Sequence, residues 1–288
     1  MPRYSIRLLE KPEEMDAVIE LQRIVWPGSE TEVTPAHVLI TAAHNGGLIL
    51  GAYEEDILMG FVFGFPGIDM LPDGPQLKHC SHMLGVRPEA RDAGLGFALK
   101  RAQWQMLRQQ GLTHATWTYD PLLSRNAHLN IAKLGATCNT YLGSYYGELS
   151  DGLNIGLPSD RFQVDWWLIS RRVERRLGKH PRGALSLNHL IQAGCQPLYA
   201  LQPNQDDLLQ PPEKIPHFSE KVLAVEIPPD FMALKASDMD LAHAWRFFTR
   251  VFFEAAFSSG YIVTDFIFDQ GRSFYVLSHG ESTLEGDL

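Results

Sequence analysis

The sequence predicts an α/β fold: a mixed, mostly antiparallel sheet flanked by helices, followed by a smaller α+β unit at the C-terminus. Segments rich in strand formers alternate with segments of helical apolar periodicity over the first 170 residues. A strand–helix–strand run over 77–119 implies a right-handed parallel crossover, whereas short polar turns elsewhere predict antiparallel hairpins. The predicted organisation is a domain over 1–170, a basic segment and proline-rich linker over 171–218, and the C-terminal unit over 219–288.

The composition limits the class of protein. The chain has 288 residues, 45% of them hydrophobic, and its 34 acidic and 25 basic side chains give a formal net charge of −9. A chain this apolar is not disordered, and an acidic chain lacks the basic footprint that nucleic-acid binding requires. No window approaches about 18 consecutive apolar residues, so we expect no membrane span. The early acidic residues also predict that the N-terminus is not a secretory signal.

Cysteine usage indicates the compartment and argues against metal. Cys80, Cys138 and Cys195 are far apart in the sequence and odd in number. That pattern fits neither a disulfide framework nor a closed zinc site, and the histidines near 79–82 and 114 complete no ligand set. We therefore expect no metal and a reducing, cytoplasmic environment.

The elements of the first 170 residues follow from periodicity and from capping and turn residues. Thr34 is the expected N-cap of the second helix, with Pro35 at its first position. The segment 65–75 is rich in proline and glycine and is predicted to be a loop. The helix over 95–110 is the clearest, with an apolar stripe of Leu95, Ala98, Leu99, Ala102 and Met106. The predicted strands are 4–9, 48–53, 57–65, 77–86, 114–119, 137–145 and 162–169; the other helices are 12–26, 34–44 and 124–134.

The chain changes character after residue 170. The basic run over 171–182 is interpreted as a solvated helix face, and 202–218 as a linker. A strand over 221–227, a helix from 238 to about 257 capped by Ser237, and a strand pair over 261–277 follow. The wide aromatic stripe of that helix should pack either against the first domain or against another chain, which leaves a homodimer open.

One segment of the sequence carries a chemical signal. Residues 84–96 join a strand to the N-terminus of the clearest helix, where several backbone N–H groups lack intrahelical partners and the helix dipole favours an anion. Gly94 and Gly96 have no Cβ, so a phosphate can approach the backbone closely. Residues 84–101 also hold a surplus of two positive charges. The alternative is an ordinary tight turn.

This segment also resembles a known family. The pattern Leu84-x-Val86-x-Pro88-x-x-Arg91-x-x-Gly94-Leu95-Gly96 is similar to the acyl-CoA signature of the GNAT acyltransferases. The resemblance implies a GNAT-like fold over 1–170 and acetyl-CoA or another acyl-CoA as co-substrate. It implies that main-chain groups near Leu84 and Val86 pair with the pantetheine arm, in the splay between strands 77–86 and 114–119. It further implies that the pyrophosphate is bound by the backbone N–H groups of Arg91, Asp92, Ala93, Gly94, Leu95 and Gly96.

A second segment, 124–136, resembles the family helix that usually reads N-x-x-A-x-x-[LF]-Y-x-K-x-G-F. Ser124 stands at the asparagine position, and Asn126, two residues further on, is the expected cofactor contact. Ile131 stands where relatives often have the tyrosine that donates a proton to the leaving CoA thiolate. The resemblance therefore leaves the general acid open.

Catalytic candidates come from the strand before the turn and the strand after the helix. Strict alternation would place Cys80, His82, Leu84 and Val86 on one face. His82 is the candidate general base, with a hydrogen-bonded core histidine as the alternative; Cys80 as a nucleophile is less favoured because direct transfer needs no acyl-enzyme. Tyr119 is the candidate acid, with an ordinary strand-end aromatic residue as the alternative.

The resemblance and the residues together predict an N-acyltransferase that moves an acyl group directly from acyl-CoA to the amine of a small-molecule acceptor. Arg161 could hold an acceptor carboxylate, which would make the acceptor amino-acid-like; otherwise it belongs to a turn that starts a strand. The alternative from another class is a non-catalytic acyl-CoA-binding or sensing protein, which Ile131 favours. No nucleic acid or membrane partner is expected.

Overall fold

The computed structural model describes residues 4–28, 30–149, 152, 154–178, 183 and 185–279. The chain divides into two compact units. The first contains Met1–Trp117, Ser150–Gly152 and Trp167–Ile169, and the second contains Thr118–Leu149, Leu153–Trp166 and Ser170–Leu288. Both hold mostly antiparallel strands flanked by helices, which confirms the predicted fold class.

The first unit contains the predicted parallel crossover. In its strand order β1-β2-β3-β4-β5, every neighbouring pair is antiparallel except β4 and β5, which are parallel and joined through α3. Strand β5 begins in this unit and continues into the second. The elements are β1 (Ser5–Leu8), α1 (Pro12–Val25), α2 (Ala36–His44), β2 (Leu48–Glu54), β3 (Ile57–Leu71), β4 (Gly74–Val86), α3 (Leu95–Gln109) and β5 (His114–Tyr119).

Helix α2 begins one residue later than predicted. Thr34 does not cap it; Pro35 occupies the N-cap position, with extended backbone. The reason is a side-chain amide on α1. Gln22 accepts a hydrogen bond from the Thr34 N–H at 2.8 Å and donates to the Thr34 carbonyl at 3.1 Å. Both main-chain groups of Thr34 are thereby held to α1, and the helix starts at Ala36.

The prediction of a loop over 65–75 is wrong. Strand β3 continues to Leu71 and pairs with β4 down to Leu71–Gly74. Prolines are tolerated because β2 pairs with β3 only as far as Gly64, so Pro66 lies where β3 forms an open edge of the sheet. Gly74, with a φ of 116°, closes the tight turn. Proline and glycine here mark an edge ribbon rather than an irregular loop.

A β-bulge interrupts β4. Phe63 lies opposite Met83 and Gly64 lies opposite Ser81, so His82 is an extra residue with no partner on β3. A bulge breaks the alternation of side chains. His82 and Met83 accordingly both lie on the side of Phe63, although they are adjacent in sequence. The predicted single face of Cys80, His82, Leu84 and Val86 is therefore wrong.

The second unit is built on the strand order β7-β6-β11-β12-β10, antiparallel throughout. A small ribbon of β8 and β9 lies inside the stretch predicted as a linker. The helix predicted over 124–134 is α-helical only at its start and continues as a π-helical segment, His128–Lys133. The elements are α4 (Ser124–Ala127), β6 (Thr137–Leu142), β7 (Arg161–Trp167), α5 (Arg171–Leu177), α6 (Leu187–Gln192), β8 (Gln202–Pro203), β9 (Leu209–Gln210), β10 (Val222–Ile227), α7 (Phe231–Ser237), α8 (Met239–Ser258), β11 (Tyr261–Asp269) and β12 (Arg272–His279).

The aromatic helix α8 packs within its own chain. Phe253 contacts Phe162 of β7 with ring centroids 4.7 Å apart and Tyr275 of β12 at 5.4 Å. Its N-cap is Asp238, whose carboxylate accepts from the N–H of Leu241 at 2.9 Å. The predicted cap, Ser237, is instead the last residue of α7, a helix that the sequence reasoning missed.

Two arginines of the basic run are structural rather than solvated. Arg172 donates through Nε to the Gly135 carbonyl at 2.8 Å, and Arg176 donates to the Ala132 carbonyl and pairs with Asp265 at 2.7 Å. They stand one helical turn apart on α5 and bind carbonyls at the end of the π-helical segment. Lys179 and Arg182 lie outside the described residues.

Replacement of Gly64 tests the packing at the bulge. A Cβ at this position would collide with His79 Nε2 and lie 2.5 Å from the Cys80 carbonyl oxygen, and the backbone carbonyl cannot move freely. We expect Gly64→Ala to lower the free energy of unfolding in urea by about 1–3 kcal/mol. Gly152→Ala, where a Cβ would meet open space, is the control. Equal stability of the two variants would contradict the packing argument.

Candidate functional site

The turn between β4 and α3 is anchored at one end and open at the other. Arg87 donates its backbone N–H to the Met59 carbonyl at 2.9 Å and its Nε to the Leu58 carbonyl at 2.8 Å. A single 3-10 turn, Pro88–Ala90, follows. Beyond it, Asp92 and Gly94 adopt left-handed backbone conformations, with φ values of 65° and 77°. The segment with the sequence motif therefore forms a defined turn, and the helix begins only after it.

Helix α3 begins without a side-chain cap. Gly94 is its N-cap residue, and a Cβ there would meet nothing within 4 Å. The N–H groups of the first helical turn have no helical acceptor, and the helix dipole adds partial positive charge at the same place. Residues 91–94 are exposed, whereas Leu95 is buried and fixes the helix start. The geometry suits an anion that approaches the backbone directly.

Strand β4 diverges from β5 on the way to this turn. Within the described residues, the two strands are paired at His79–Ala115 and Cys80–Thr116. From Ser81 to Val86, β4 remains paired with β3 on one side, except at the bulge residue His82, and has no β5 partner on the other. Leu84 and Val86 lie in this unpaired stretch, so β4 has backbone groups available for an extended ligand beside the turn.

A buried polar network joins α3 to β4. Lys100 donates through Nζ to Ser81 Oγ at 2.9 Å and to Gln103 Oε1 at 2.8 Å, and it lies 3.6 Å from the ring centroid of Trp117. Gln103 Nε2 is 3.1 Å from Nε2 of His79. Burial lowers the pKa of Lys100 well below its usual value and lowers the pKa of His79 to about 3, with the Lys100 charge as a second cause for His79.

This network corrects two expectations about α3. The buried face contains Lys100, Gln103 and Trp104, while Ala98, Ala102 and Met106 are only half-buried, so the predicted stripe is rotated from the observed one. Lys100 also does not contribute charge at the turn, because it lies inside the unit. In the remainder of 84–101, three arginines stand against two acids. The turn therefore depends on directed backbone donors more than on local charge.

A cavity of about 740 Å³ lies in the first unit between α2, β3 and β4. Its helix side is formed by residues that share one face of α2 or precede that helix: Thr34, His37, Val38, Thr41, Ala42 and Asn45. Phe63, Phe65 and Pro66 of β3 and His82 of β4 form the strand side. The volume is within the range of small-molecule sites.

The bulge turns His82 into this cavity. Its ring centroid lies 6.0 Å from that of Phe63 and 5.7 Å from that of Phe65. Desolvation beside these rings lowers the pKa of His82, which keeps the imidazole neutral at pH 7. The residue is exposed, unlike the core histidine of the alternative interpretation. Cys80 is half-buried and free.

The second unit holds the other candidates. Tyr119 is 4% exposed, its hydroxyl is 3.2 Å from the hydroxyl of Tyr275, and burial raises its pKa well above the usual value. Its role as general acid remains a prediction that this burial does not favour. Asn126 is half-buried on α4, and Ile131 is fully buried in the π-helical segment.

Arg161 has its donors engaged locally. It donates through Nη1 to the Asp160 carbonyl at 2.8 Å and through Nη2 to Asn154 Oδ1 at 2.7 Å. The Asp160 carboxylate instead accepts from Arg250 and from Tyr141. These contacts hold Arg161 at the start of β7, and its role toward an acceptor carboxylate remains a prediction.

The sequence reasoning missed the cavity and the buried network. Both bring together residues far apart in the chain: Lys100 bonds to Ser81, and His37 and Phe65 line the same cavity. One local signal was present. Val38 and Thr41 do not lie on the core side of α2, the side on which Leu39 is buried. An apolar residue on the solvent side of a short helix can mark a ligand surface.

Two searches of the described residues concern other kinds of site. No group of three or more His, Cys, Asp or Glu side chains within them is arranged to hold a metal ion. No helix in the described part of the chain combines the length and apolar character that crossing a bilayer demands.

Comparisons with known proteins found similarity to solved structures alone. No family model and no curated protein matches the chain. An acetyltransferase assigned to the GNAT family from Desulfovibrio desulfuricans is 16% identical, with a TM-score of 0.46 over 57% of this chain and 99% of that one. Aminoglycoside 6'-acetyltransferase type Ii is 18% identical, with a TM-score of 0.45 over 58% and 99%. Arabidopsis thaliana Naa50, solved with a bisubstrate analogue of CoA, is 17% identical, with a TM-score of 0.43 over 57% and 97%.

The pH dependence of the free energy of unfolding tests whether His79 is neutral in the folded chain. Its pKa falls from 6.5 to about 3 on folding, so the unfolded chain binds the proton first as pH drops. The stability that the neutral ring contributes is therefore complete above pH 6.5 and is lost toward pH 3, by about 1.4 kcal/mol per pH unit. The stability difference between the wild type and His79→Gln, measured by urea unfolding between pH 6 and pH 4, should change with this slope. A difference independent of pH would contradict it.

Proposed function

We propose that this chain is a GNAT-like N-acyltransferase that moves an acetyl or related acyl group from acyl-CoA to the amine of a small molecule. The observation that carries the proposal is the uncapped, left-handed glycine turn at the start of α3, next to the unpaired stretch of β4. An anion site and an adjoining strand with free backbone groups suit a ligand that has a pyrophosphate and an amide-containing arm. The proposed transferase domain is 1–170, and the expected compartment is the cytoplasm.

The proposed donor contacts follow from that geometry. The N–H groups of residues 91–96 would hold the pyrophosphate, with Gly94 giving the closest approach because no Cβ stands there. Main-chain groups of Leu84 and Val86 would pair with the pantetheine arm, as a further strand pairs with an edge. Asn126 remains a proposed cofactor contact.

The cavity beside His82 is the proposed acceptor site. The acceptor nitrogen attacks the thioester carbon, a C–N bond forms, and His82 takes the proton that the nitrogen loses. The C–S bond then breaks and the CoA thiolate leaves, to be protonated by Tyr119 or by water. His82 suits the role of base because its imidazole is neutral at pH 7 and its ring faces the cavity.

The alternative function is a non-catalytic acyl-CoA sensor, which Ile131 at the usual tyrosine position favours. Calorimetric binding of several acyl-CoAs, followed by thiol-release assays on a panel of amines, separates the two functions. Binding with turnover supports the transferase, and tight binding without turnover on any amine supports the sensor. Absence of acyl-CoA binding would exclude both.

Replacement of Gly94 tests the donor site. We expect Gly94→Asp to weaken CoA binding about a hundredfold, roughly 2.7 kcal/mol, because its carboxylate would face the pyrophosphate. Two controls isolate the charge: Gly94→Asn has the same shape, and Gly111→Asp has a similar φ, 78°, in open space at the other end of α3. Calorimetry should find that both controls bind CoA more tightly than Gly94→Asp. Unchanged affinity in Gly94→Asp would refute the turn assignment.

Replacement of His82 tests the base. General-base catalysis contributes about a hundredfold or more, so His82→Ala should lower kcat by at least that factor and leave the Kd for CoA unchanged. The acidic limb of the pH–rate profile should also disappear. His44→Ala, at the far end of α2 and outside the cavity lining, is the control. A retained acidic limb in His82→Ala would remove this residue from the mechanism.

A further inference from the structure

The chemistry of the cavity beside His82 restricts the class of acceptor that can bind there. None of the ten described residues that line it carries a carboxylate, an ammonium or a guanidinium group. The polar lining comes from two histidines, two threonine hydroxyls and one asparagine amide, and the rest is apolar. The site therefore offers hydrogen bonds to a ligand but no carboxylate, lysine or arginine to pair with a charged one.

The exposed apolar residues of the lining point to a ligand surface. Val38 is 42% exposed and Phe65 is 36% exposed, although both are large apolar side chains. Leu39, next to Val38, is fully buried on the core side of α2. The helix thus keeps an apolar residue on its cavity side in addition to its core side, and this residue faces aromatic rings of β3.

Charge decides which amines such a site accepts. Alkylamines are cations at pH 7, and an ammonium that gives up water against an apolar lining without a carboxylate binds less well there than an uncharged amine. An amino-acid-like acceptor brings a carboxylate as well, for which the lining has no arginine or lysine. An aromatic amine is weakly basic and uncharged at pH 7. Its ring also suits edge or offset contacts with Phe63 and Phe65.

We propose that the acceptor bound in this cavity is an uncharged aromatic amine. The inference rests on the proposed acyl transfer and names its substrate class. An uncharged nitrogen can attack the thioester without a prior deprotonation, and His82 then takes the one proton that the new C–N bond releases. This chemistry matches a neutral histidine among aromatic rings better than it matches an amino-acid acceptor.

A pair of isomers tests the inference with size held constant. Aniline bearing a para-methyl group and benzylamine have the same atoms, but only benzylamine is a cation at pH 7. Calorimetry on the full chain should give a Kd for 4-methylaniline at least about tenfold below that for benzylamine, and phenylalanine should bind no better than benzylamine. Thiol release from acetyl-CoA should rank the three in the same order. Equal or reversed affinities would overturn the inference.

The amine binding measurement needs no acyl donor, so the two proposals fail separately. If acetyl-CoA binds and 4-methylaniline does not, the acceptor class is wrong and the acyl transfer proposal stands. If the amine ranking holds and no acyl-CoA binds, the acyl transfer proposal is wrong and the cavity assignment stands.

A charge placed in the cavity gives a second test that intrinsic amine reactivity does not affect. Val38→Asp should raise the ratio of kcat/KM for benzylamine to kcat/KM for 4-methylaniline about tenfold, because a carboxylate then pairs with the ammonium. Val38→Asn has the same shape without the charge and should not shift the ratio. Ile57→Asp adds the same charge at an exposed site outside the lining. An unchanged ratio in Val38→Asp, or an equal shift in Ile57→Asp, would overturn the inference.

Discussion

The buried amino group of Lys100 is the interaction on which the arrangement of the first unit depends. It holds Ser81 of β4 and Gln103 of its own helix, and Gln103 in turn contacts His79. Burying these groups is costly unless the partners are well placed, so the network tolerates few relative positions of α3 and β4. Apolar packing alone would permit the helix to rotate by a fraction of a turn. The directional bonds prevent this, and the direction of the first-turn N–H groups of α3 follows from them.

The sequence predicted the part of the site whose structure is determined by residues close together in the chain. The strand, the turn and the helix over 77–109 are contiguous, and glycine at a left-handed position, with a helix start directly after it, can be recognised from neighbours in the chain. The bulge could not be recognised in this way, because it is defined by residues of β3 opposite it, Phe63 and Gly64. The face that His82 occupies, and therefore the cavity, depends on that pairing.

In the second unit, too, the features determined by neighbouring residues were predicted, and those determined by distant residues were missed. The strand pair β11 and β12 was predicted, and its turn is set locally by Gln270 and Gly271, both of which have positive φ values. Ser237 and Asp238 are both good capping residues, and only the presence of α7 decides that Asp238 starts the long helix. The roles of Arg172 and Arg176 were hidden because their acceptors, carbonyls of Gly135 and Ala132, are about 40 positions away in the sequence. A basic run cannot reveal from its own composition whether it is solvated.

The bulge at His82 restricts how the length of β4 can change over evolutionary time. Loss of the extra residue would make the ladder regular, with Met83 and Ser81 still opposite Phe63 and Gly64, and His79 and Ser81 would still face Lys100. What would be lost is the side chain that the bulge adds beside Phe63, that of His82. Insertions at Pro72 and Asp73, at the tip of the ribbon, carry no such penalty, because the two strands can lengthen together. Homologous chains that keep a histidine in the cavity should therefore keep the count of residues from His79 to Gly94 constant, while the length of the ribbon varies.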